Sequence, residues 1–257
     1  MRALIISDVH ANLAALDEVL ADARSLNWLG STGFDVVWSL GDIVGYGPHP
    51  NRCIERLREF EGHLRVAGNH DWAALGHLDI DDFNPEARHM VLWTQEALDS
   101  LSYAYLRKLP SEPIEAGEFI ITHGSPREPV WEYVRTSTIA RENFDYFDTA
   151  YGLVGHTHVP RIYRLAEDPE TGLQACAAHA PGYDQDISLK GDHRLILNPG
   201  SVGQPRDNDP RAAYALLDTE QQIWRFRRIS YPYEMTQADM RSAGLPDRLI
   251  VRLAYGW

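Results

Sequence analysis

The stretch Arg2-Ala3-Leu4-Ile5-Ile6-Ser7-Asp8-Val9-His10-Ala11-Asn12 decides how the rest of the chain is read. Arg2–Ser7 is a short apolar run rich in Leu and Ile, the pattern of a buried strand. Asp8 and His10 follow where that run stops. Asn12 then offers a helix N-cap, and Leu13, Leu16, Val19, Leu20 and Ala23 recur at helical spacing, which predicts an amphipathic helix over Leu13–Ser25. The unit repeats. Asp35–Leu40 reads as a second strand stopping at Gly41-Asp42, and Pro50–Phe60 as a second helix with Ile54 and Leu57 inward and Arg52, Arg56 and Arg58 outward. His63–Ala67 reads as a third strand ending at Gly68-Asn69. The β-α-β-α-β order implies a parallel sheet covered by helices.

Further along, Asn84-Pro85 starts a helix over Glu86–Ser100 with Ala87, Val91, Leu92 and Leu98 on its apolar side. Glu118–Thr122 and Tyr151–Val154 are short strands. Arg161–Leu165, Arg194–Leu197, Ala212–Leu217 and Ile223–Ile229 follow without long helices between them, which predicts a second, more antiparallel sheet packed on the first. Weak periodicity over Glu167–Asp192, with Pro169, Gly172, Pro181 and Gly182, marks residues 166–193 as a long loop or an excursion hairpin. A short helix near Gln237–Ala243, stopped by Gly244 and Pro246, closes the chain. No repeat, low-complexity tract or linker interrupts it, so residues 1–257 are expected to form a single domain, with residues 72–100 as a possible lid.

Composition narrows the function classes. The formal net charge of −13 repels the phosphate backbone and anionic lipid, which argues against broad nucleic-acid or membrane binding. A small phosphorylated substrate stays compatible, because a local cationic site reverses the field. Cys53 and Cys176 form no CxxC and suggest neither a thiolate zinc site nor a disulfide framework. The N-terminal apolar stretch is too short for a signal sequence or a membrane span, so the cytoplasm is the expected compartment. The sequence gives no indication of oligomeric state.

The polar residues fall at strand ends. Asp8 and His10 follow the first strand, Asp42 the second, Asn69 and His70 the third, His123 the strand ending at Thr122, and His156 and His158 the strand ending at Val154. Sites in parallel α/β sheets form at the carboxyl ends of strands, so five loops deliver oxygen and imidazole groups to one edge. Each piece alone is a weak signal; the ordered set is a strong one. The remaining histidines, His49, His63, His77, His89, His179 and His193, have no such placement and read as surface or core residues. Carboxylate, amide oxygen and imidazole without thiolate suit Mn, Fe, Zn, Ni or Co, among which the residues do not choose, with Mg less natural beside so many imidazoles.

These residues resemble a known family. Asp8-x-His10, Gly41-Asp42, Gly68-Asn69-His70-Asp71, His123 and Gly155-His156-Thr157-His158 match the motif series of the calcineurin-like metallophosphoesterases in order and rough spacing. The Asn198-Pro199-Gly200-Ser201 turn looks like that of the compact bacterial and archaeal branch. The resemblance implies a four-layer α/β/β/α sandwich of two mixed sheets flanked by helices, holding two divalent metal ions. By that likeness Asp8, His10, Asp42 and His158 hold one ion, Asp42, Asn69, His123 and His156 hold the other, and Asp42 is shared. His70, oriented by Asp71, would face the leaving group. Two cations roughly 3.5–4 Å apart can generate a bridging hydroxide that attacks phosphorus. His70 would protonate the leaving oxygen or hydrogen-bond the phosphate.

The departures from the pattern bear on substrate. Tyr46 in Gly41-Asp42-Ile43-Val44-Gly45-Tyr46-Gly47, and Ala67 before Gly68-Asn69-His70, stand where the family's protein phosphatases carry phosphate-gripping arginines. Arg127 and Arg206 are candidate substitutes, with ordinary surface charge as the competing reading. Tyr46, Trp72 and Trp131 are candidate stacking partners for a base or aromatic leaving group, with local packing as the alternative. The leading expectation is a phosphodiester hydrolase with some phosphomonoesterase activity. A nucleotide or dinucleoside-polyphosphate phosphatase is the alternative. A non-enzymatic metal-binding scaffold would be expected to lose ligands or His70, and here every such position is filled.

Overall fold

A computed structural model describes residues 1–60, 62, 64–81, 83–167, 171–191 and 193–257. In chain order the strands are β1 (Arg2–Ile6), β2 (Asn27–Trp28), β3 (Ser31–Thr32), β4 (Val36–Ser39), β5 (Leu64–Arg65), β6 (Ile114–Ala116), β7 (Phe119–Ile121), β8 (Tyr151–Leu153), β9 (Arg161–Glu167), β10 (Gln174–His179), β11 (Asp186–Ser188), β12 (Arg194–Asn198), β13 (Ala212–Asp218) and β14 (Ile223–Ile229). The helices are α1 (Leu13–Ser25), α2 (Pro50–Arg58), α3 (Asn69–Ala74), α4 (Pro85–Ala97), α5 (Ser100–Leu106), α6 (Ser137–Asn143), α7 (Tyr233–Ser242) and α8 (Asp247–Val251).

Two six-stranded sheets form, in the orders β11-β14-β13-β1-β4-β5 and β10-β9-β12-β8-β7-β6. Both are mixed. β1, β4 and β5 run parallel in the first, and β7, β8 and β12 run parallel in the second. Strand alternation builds the layers. Ala3 and Ile5 of β1 face the second sheet, packing with Phe119, Leu153, Leu197 and Phe226. Leu4 and Ile6 face the other way, onto Leu16, Val19 and Leu20 of α1 and Ile54 and Leu57 of α2. On the far side, Ile120, Tyr163 and Ile196 of the second sheet pack with Ala140 and Phe144 beside α6. The result is the expected α/β/β/α order, and each fully buried Leu or Ile contributes roughly 1.5–3 kcal/mol of transfer free energy.

Several expectations need correction. The late strands do not make a separate sheet. β13 and β14 return to the first sheet, where β13 pairs antiparallel with β1, while β9 and β12 join β7 and β8. Among the described residues of the 166–193 segment, β10 pairs back on β9, and β11 extends the edge of the first sheet on β14. The expected helix over Glu86–Ser100 is two, because Asp99 caps a new helix by accepting the Ser102 N–H at 2.7 Å. Leu92, assigned to its apolar side, is exposed. The closing helix starts earlier, at Tyr233, and α8 follows it. Asn12 and Asn84 do cap α1 and α4, accepting the Ala15 and Ala87 N–H groups. His63, Pro169 and Asp192, which the sequence reading included, lie outside the described residues. Among the described residues no helix is long and apolar enough to cross a membrane.

Candidate metal centre

The loops that leave β1, β4, β5, β7 and β8 are laced together. The Asp8 N–H donates to Gly41 O at 3.1 Å, the His10 N–H to Asp42 O at 2.9 Å, and the Gly155 N–H to His123 O at 2.8 Å. Asp8, His10, Asp42, His156 and His158 all adopt left-handed backbone, with φ of 53°, 48°, 54°, 62° and 60°. Such conformations cost on the order of 1–3 kcal/mol each and persist where surrounding structure over-determines them. The strain turns each side chain off its strand and into a common space. Two glycines make that approach sterically feasible. A Cβ on Gly68 would lie 2.1 Å from Asp42 Oδ1, and one on Gly41, whose φ is +94°, would lie 2.7 Å from His123 Nδ1.

All seven expected ligand side chains converge, and all are buried. His10 Nε2 lies 3.1 Å from His158 Nε2, and Asp8 Oδ1 is 3.8 Å and 3.3 Å from those two nitrogens. His123 Nε2 lies 3.1 Å from both His156 Nδ1 and Asn69 Oδ1. Asp42 Oδ2 sits between the two sets, 3.6 Å from His10 Nε2 and 3.4 Å from His123 Nε2. Asp8, His10, Asp42 and His158 thus form one group that can hold a cation, and Asp42, His123 and His156 a second, with Asn69 beside it.

The protonation pattern fits cations. Nδ1–H of His10 donates to Val44 O at 3.1 Å, that of His123 to Leu40 O at 2.8 Å, and that of His158 to Gln204 O at 2.6 Å. His156 uses the opposite nitrogen, Nε2–H donating to Trp131 O at 3.1 Å. A carbonyl behind each ring fixes its tautomer, so the inward nitrogens of His10, His156 and His158 present lone pairs, and that of His123 would do so once a cation displaces the proton it shares with Asp42. Asp8 Oδ1 and Asp42 Oδ2 have no hydrogen-bond partner, the condition that makes a buried carboxylate costly unless a cation faces it. Burial pushes the His10, His156 and His158 imidazoles well down, into the neutral form that ligation needs. Burial also pushes Asp8 up to about 7, against the pull of His123. Asp42 is held well below the usual carboxylate range because the neighbouring His123 and His70 outweigh its burial.

His70 borders the cluster, its ring 5.0 Å from that of His10 and 4.4 Å from that of Tyr46. Burial pushes its imidazole down to about 4. Asp71 does not orient it, contrary to expectation. Asp71 Oδ1 accepts the Val44 N–H and Oδ2 the Gly68 N–H, each at 3.0 Å, while His70 Nδ1 has no hydrogen-bond partner. The carboxylate instead clamps the two motif loops, because backbone N–H groups reach it first.

The two candidate arginines separate. Arg127 is engaged by Glu132 and by Glu142 at 2.8 Å and braces its own loop, which removes it as a phosphate grip. Arg206 lies at the rim of the cluster, its backbone N–H donating to His158 O at 3.4 Å and its guanidinium 5.5 Å from the Tyr46 ring centre. Among the described residues no carboxylate lies within 4 Å of it. Tyr46 and Trp131 sit at the cluster, whereas Trp72 packs on His77. His49 pairs with Asp239, and His77, His89 and His179 are exposed, as surface residues should be.

Sequence reasoning missed an aromatic cover. Ring contacts run from Tyr46 to His70, His70 to Phe83 at 5.4 Å, Phe83 to Trp131 at 5.3 Å, and Tyr133 stacks on His156 at 3.7 Å. Phe83 lay within the expected lid over residues 72–100 without being singled out, and Tyr133 carried no signal. Asn198 also emerges as a support, its Nδ2 donating to Gly155 O at 2.6 Å and to Thr157 Oγ1 at 3.0 Å.

Comparison with known proteins gives one answer. The family model described as a calcineurin-like phosphoesterase superfamily domain matches residues 1–222. The crystal structure of a metallophosphoesterase from Sphaerobacter thermophilus superposes with a TM-score of 0.84 at 46% identity, covering 100% of this chain and 99% of that one. An uncharacterized protein of Methanocaldococcus jannaschii is 33% identical over 256 residues, 98% of this chain and 97% of its own length. A symmetrical bis(5'-nucleosyl)-tetraphosphatase of Haemophilus ducreyi is 28% identical over 147 residues, 55% of this chain and 51% of that protein. With its metal-binding edge built from strand-end loops of two facing mixed sheets, this chain belongs to the calcineurin-like phosphoesterase superfamily.

Proposed function

We propose that the protein hydrolyses phosphodiester bonds at a centre of two divalent cations, manganese being the first choice, with some activity on phosphomonoesters. The observation that carries this reading is the pair of buried donor groups sharing Asp42 Oδ2, with a backbone carbonyl behind each of four imidazoles. Cations bound there would supply Lewis acidity and lower the pKa of an attacking water. Asp8, His10, Asp42 and His158 would hold one ion, and Asp42, Asn69, His123 and His156 the other. Arg206 would bind the non-bridging phosphoryl oxygens, a role its position at the rim of the cluster supports, and one guanidinium suits a singly charged diester better than a dianionic monoester. His70 would give a hydrogen bond or proton to the leaving oxygen, and Asp71 holds the motif loops beside it.

The cover implies motion. His70, the most exposed of the eight side chains formed by the seven expected ligands and His70 itself, is only 5% accessible, so a substrate would require Phe83 and Trp131 to part. This supports residues 72–100 as a lid within one domain spanning 1–257. Free Cys53 and Cys176 accord with a reducing cytoplasm.

A second reading, a dinucleoside-polyphosphate or nucleotide phosphatase, draws support from the tetraphosphatase relative, although the chain spans about half the length of that protein. The test is a rate panel with added manganese, comparing bis-nitrophenyl phosphate, nitrophenyl phosphate, nucleotides and diadenosine tetraphosphate. Fastest turnover of the first supports the diesterase reading. Turnover confined to the last two classes replaces it with the second, and no turnover of any contradicts both.

A further inference from the structure

On the outer side of the His156–His158 loop lies a cavity of about 280 Å³, lined by Arg135, Thr157, Val159, Arg161, Tyr163 and Arg206 among others. Three guanidinium groups border one small space. Among the described residues, none of the three has a carboxylate within 4 Å. Shortage of acid is not the cause, because the chain carries 37 Asp and Glu against 24 Lys and Arg. Several other arginines hold carboxylates, Arg56, Arg127, Arg227 and Arg228 among them, and others such as Arg65 and Arg194 do not; what sets these three apart is that they border one cavity. Three unneutralised like charges around one cavity are unfavourable unless an anion enters.

Arg135 and Arg206 are linked to the metal centre through neighbouring side chains, and Arg161 through its strand. Arg135 lies 4.0 Å over the Tyr133 ring, which stacks on His156. Arg206 is held by Gln204 Oε1 at 2.8 Å, and the Gln204 carbonyl backs His158. Arg161 opens β9 opposite Asn198, whose amide pins the Gly155–Thr157 turn. Thr157, between two ligand histidines, forms part of the wall. The volume lies just under the ~300–1,000 Å³ typical of whole small-molecule sites, so the cavity suits one group of a ligand whose remainder sits at the metals. Guanidinium forks match phosphoryl oxygens in geometry and charge.

We infer that this cavity is a second-phosphate subsite: it binds a phosphoryl group adjacent to the one attacked, which lowers KM for a substrate with two linked phosphoryl groups relative to one with a single group. The inference rests on the hydrolase reading above. In the reaction, a water oxygen bonds to the attacked phosphorus, that phosphorus loses its bond to the leaving oxygen, and the water's proton ends on the leaving group or solvent. The further phosphate, held by Arg135 and Arg161, stays on the portion that departs.

The test uses an Arg135→Gln, Arg161→Gln double variant of the full-length, manganese-supplied enzyme. Neither residue touches the cluster, so hydrolysis of bis-nitrophenyl phosphate, which has one phosphoryl group, is expected to stay within ~2-fold. For diadenosine tetraphosphate, kcat/KM is expected to fall at least ~10-fold, mostly through KM. Inorganic pyrophosphate titrated calorimetrically into the purified protein, without added free metal, is expected to bind at least ~10-fold more weakly to the variant. Equal losses on both substrates, or unchanged pyrophosphate affinity, overturn the subsite. If the unaltered enzyme fails on bis-nitrophenyl phosphate, the diesterase reading falls, and the subsite is then decided by the pyrophosphate titration alone.

Discussion

His123 shows how much one side chain can be asked to do. Its Nδ1–H is committed to Leu40 O, and its Nε2 meets Asp42, Asn69 and His156 within 3.4 Å. Burial lowers its pKa, yet the Asp42 and Asp8 carboxylates more than offset that and lift it to about 9. Such a residue is legible from sequence because its position just past a short apolar strand leaves few places to point. Tyr133 was not legible, since nothing in Trp131-Glu132-Tyr133 marks a loop that folds back onto His156. Two predictions belong here. Asp42→Asn should lower kcat at least ~100-fold, because it weakens both donor groups and even supporting residues around metals are worth 10–100-fold; metal analysis of the variant should show reduced occupancy, and full occupancy with full activity would refute the sharing of Asp42. His70→Ala should leave metals bound and slow esters with poor leaving groups most, by roughly 10²–10⁴-fold. Equal losses across a series of leaving groups would remove His70 as a donor to the leaving oxygen.

Among elements, the strand-to-helix units of the first half were readable because local pattern and local pairing coincide. β1 pairs in parallel with β4, and α1 between them covers the sheet with Leu16, Val19 and Leu20. For β13 the pattern identifies a strand but not its sheet. Its partner β1 lies at the other end of the chain, and alternation carries no address. The Asn198–Ser201 turn after β12 is a related case. It was noticed by likeness, yet its physical role became plain only when Asn198 was seen holding the Gly155–Thr157 turn and Ser201 Oγ donating to Asp8 O at 2.8 Å. Asn198→Ala should therefore weaken manganese affinity by about 10–100-fold while the far-ultraviolet circular dichroism spectrum stays native. Unchanged affinity would mean the ligand loop holds itself. Phe83→Ala should open the cover and lower KM or raise solvent access to His70; hydrogen exchange at residues 83–97 that is no faster than in the parent would argue that the segment does not act as a lid.

For the whole molecule, the segment beyond the matched residues 1–222 is part of the site's foundation. Met240 of α7, Leu249 and Ile250 of α8, and Leu253 pack with Ala87 and Met90 of α4 beneath Tyr46. Thr236 donates to Asn12 Oδ1 at 2.8 Å, joining α7 to the cap of α1. The four-layer order was foreseen through family likeness. This C-terminal buttress was not, since short helices with few apolar positions leave a faint pattern. Packing two unpartnered carboxylate oxygens and the neutral His10, His156 and His158 rings into one buried space destabilises the metal-free fold. Manganese at about 100 times its Kd should stabilise the protein by about 2.7 kcal/mol per site and raise Tm, and a chelator should reverse the shift. A Tm insensitive to both would show that the cluster binds no cation. The most direct test of the central claim is anomalous diffraction from a crystal grown with manganese. Two peaks should appear, one among Asp8, His10, Asp42 and His158 and one among Asp42, Asn69, His123 and His156, with Asp42 touching both; density free of peaks there, or peaks only at other carboxylates, would contradict it.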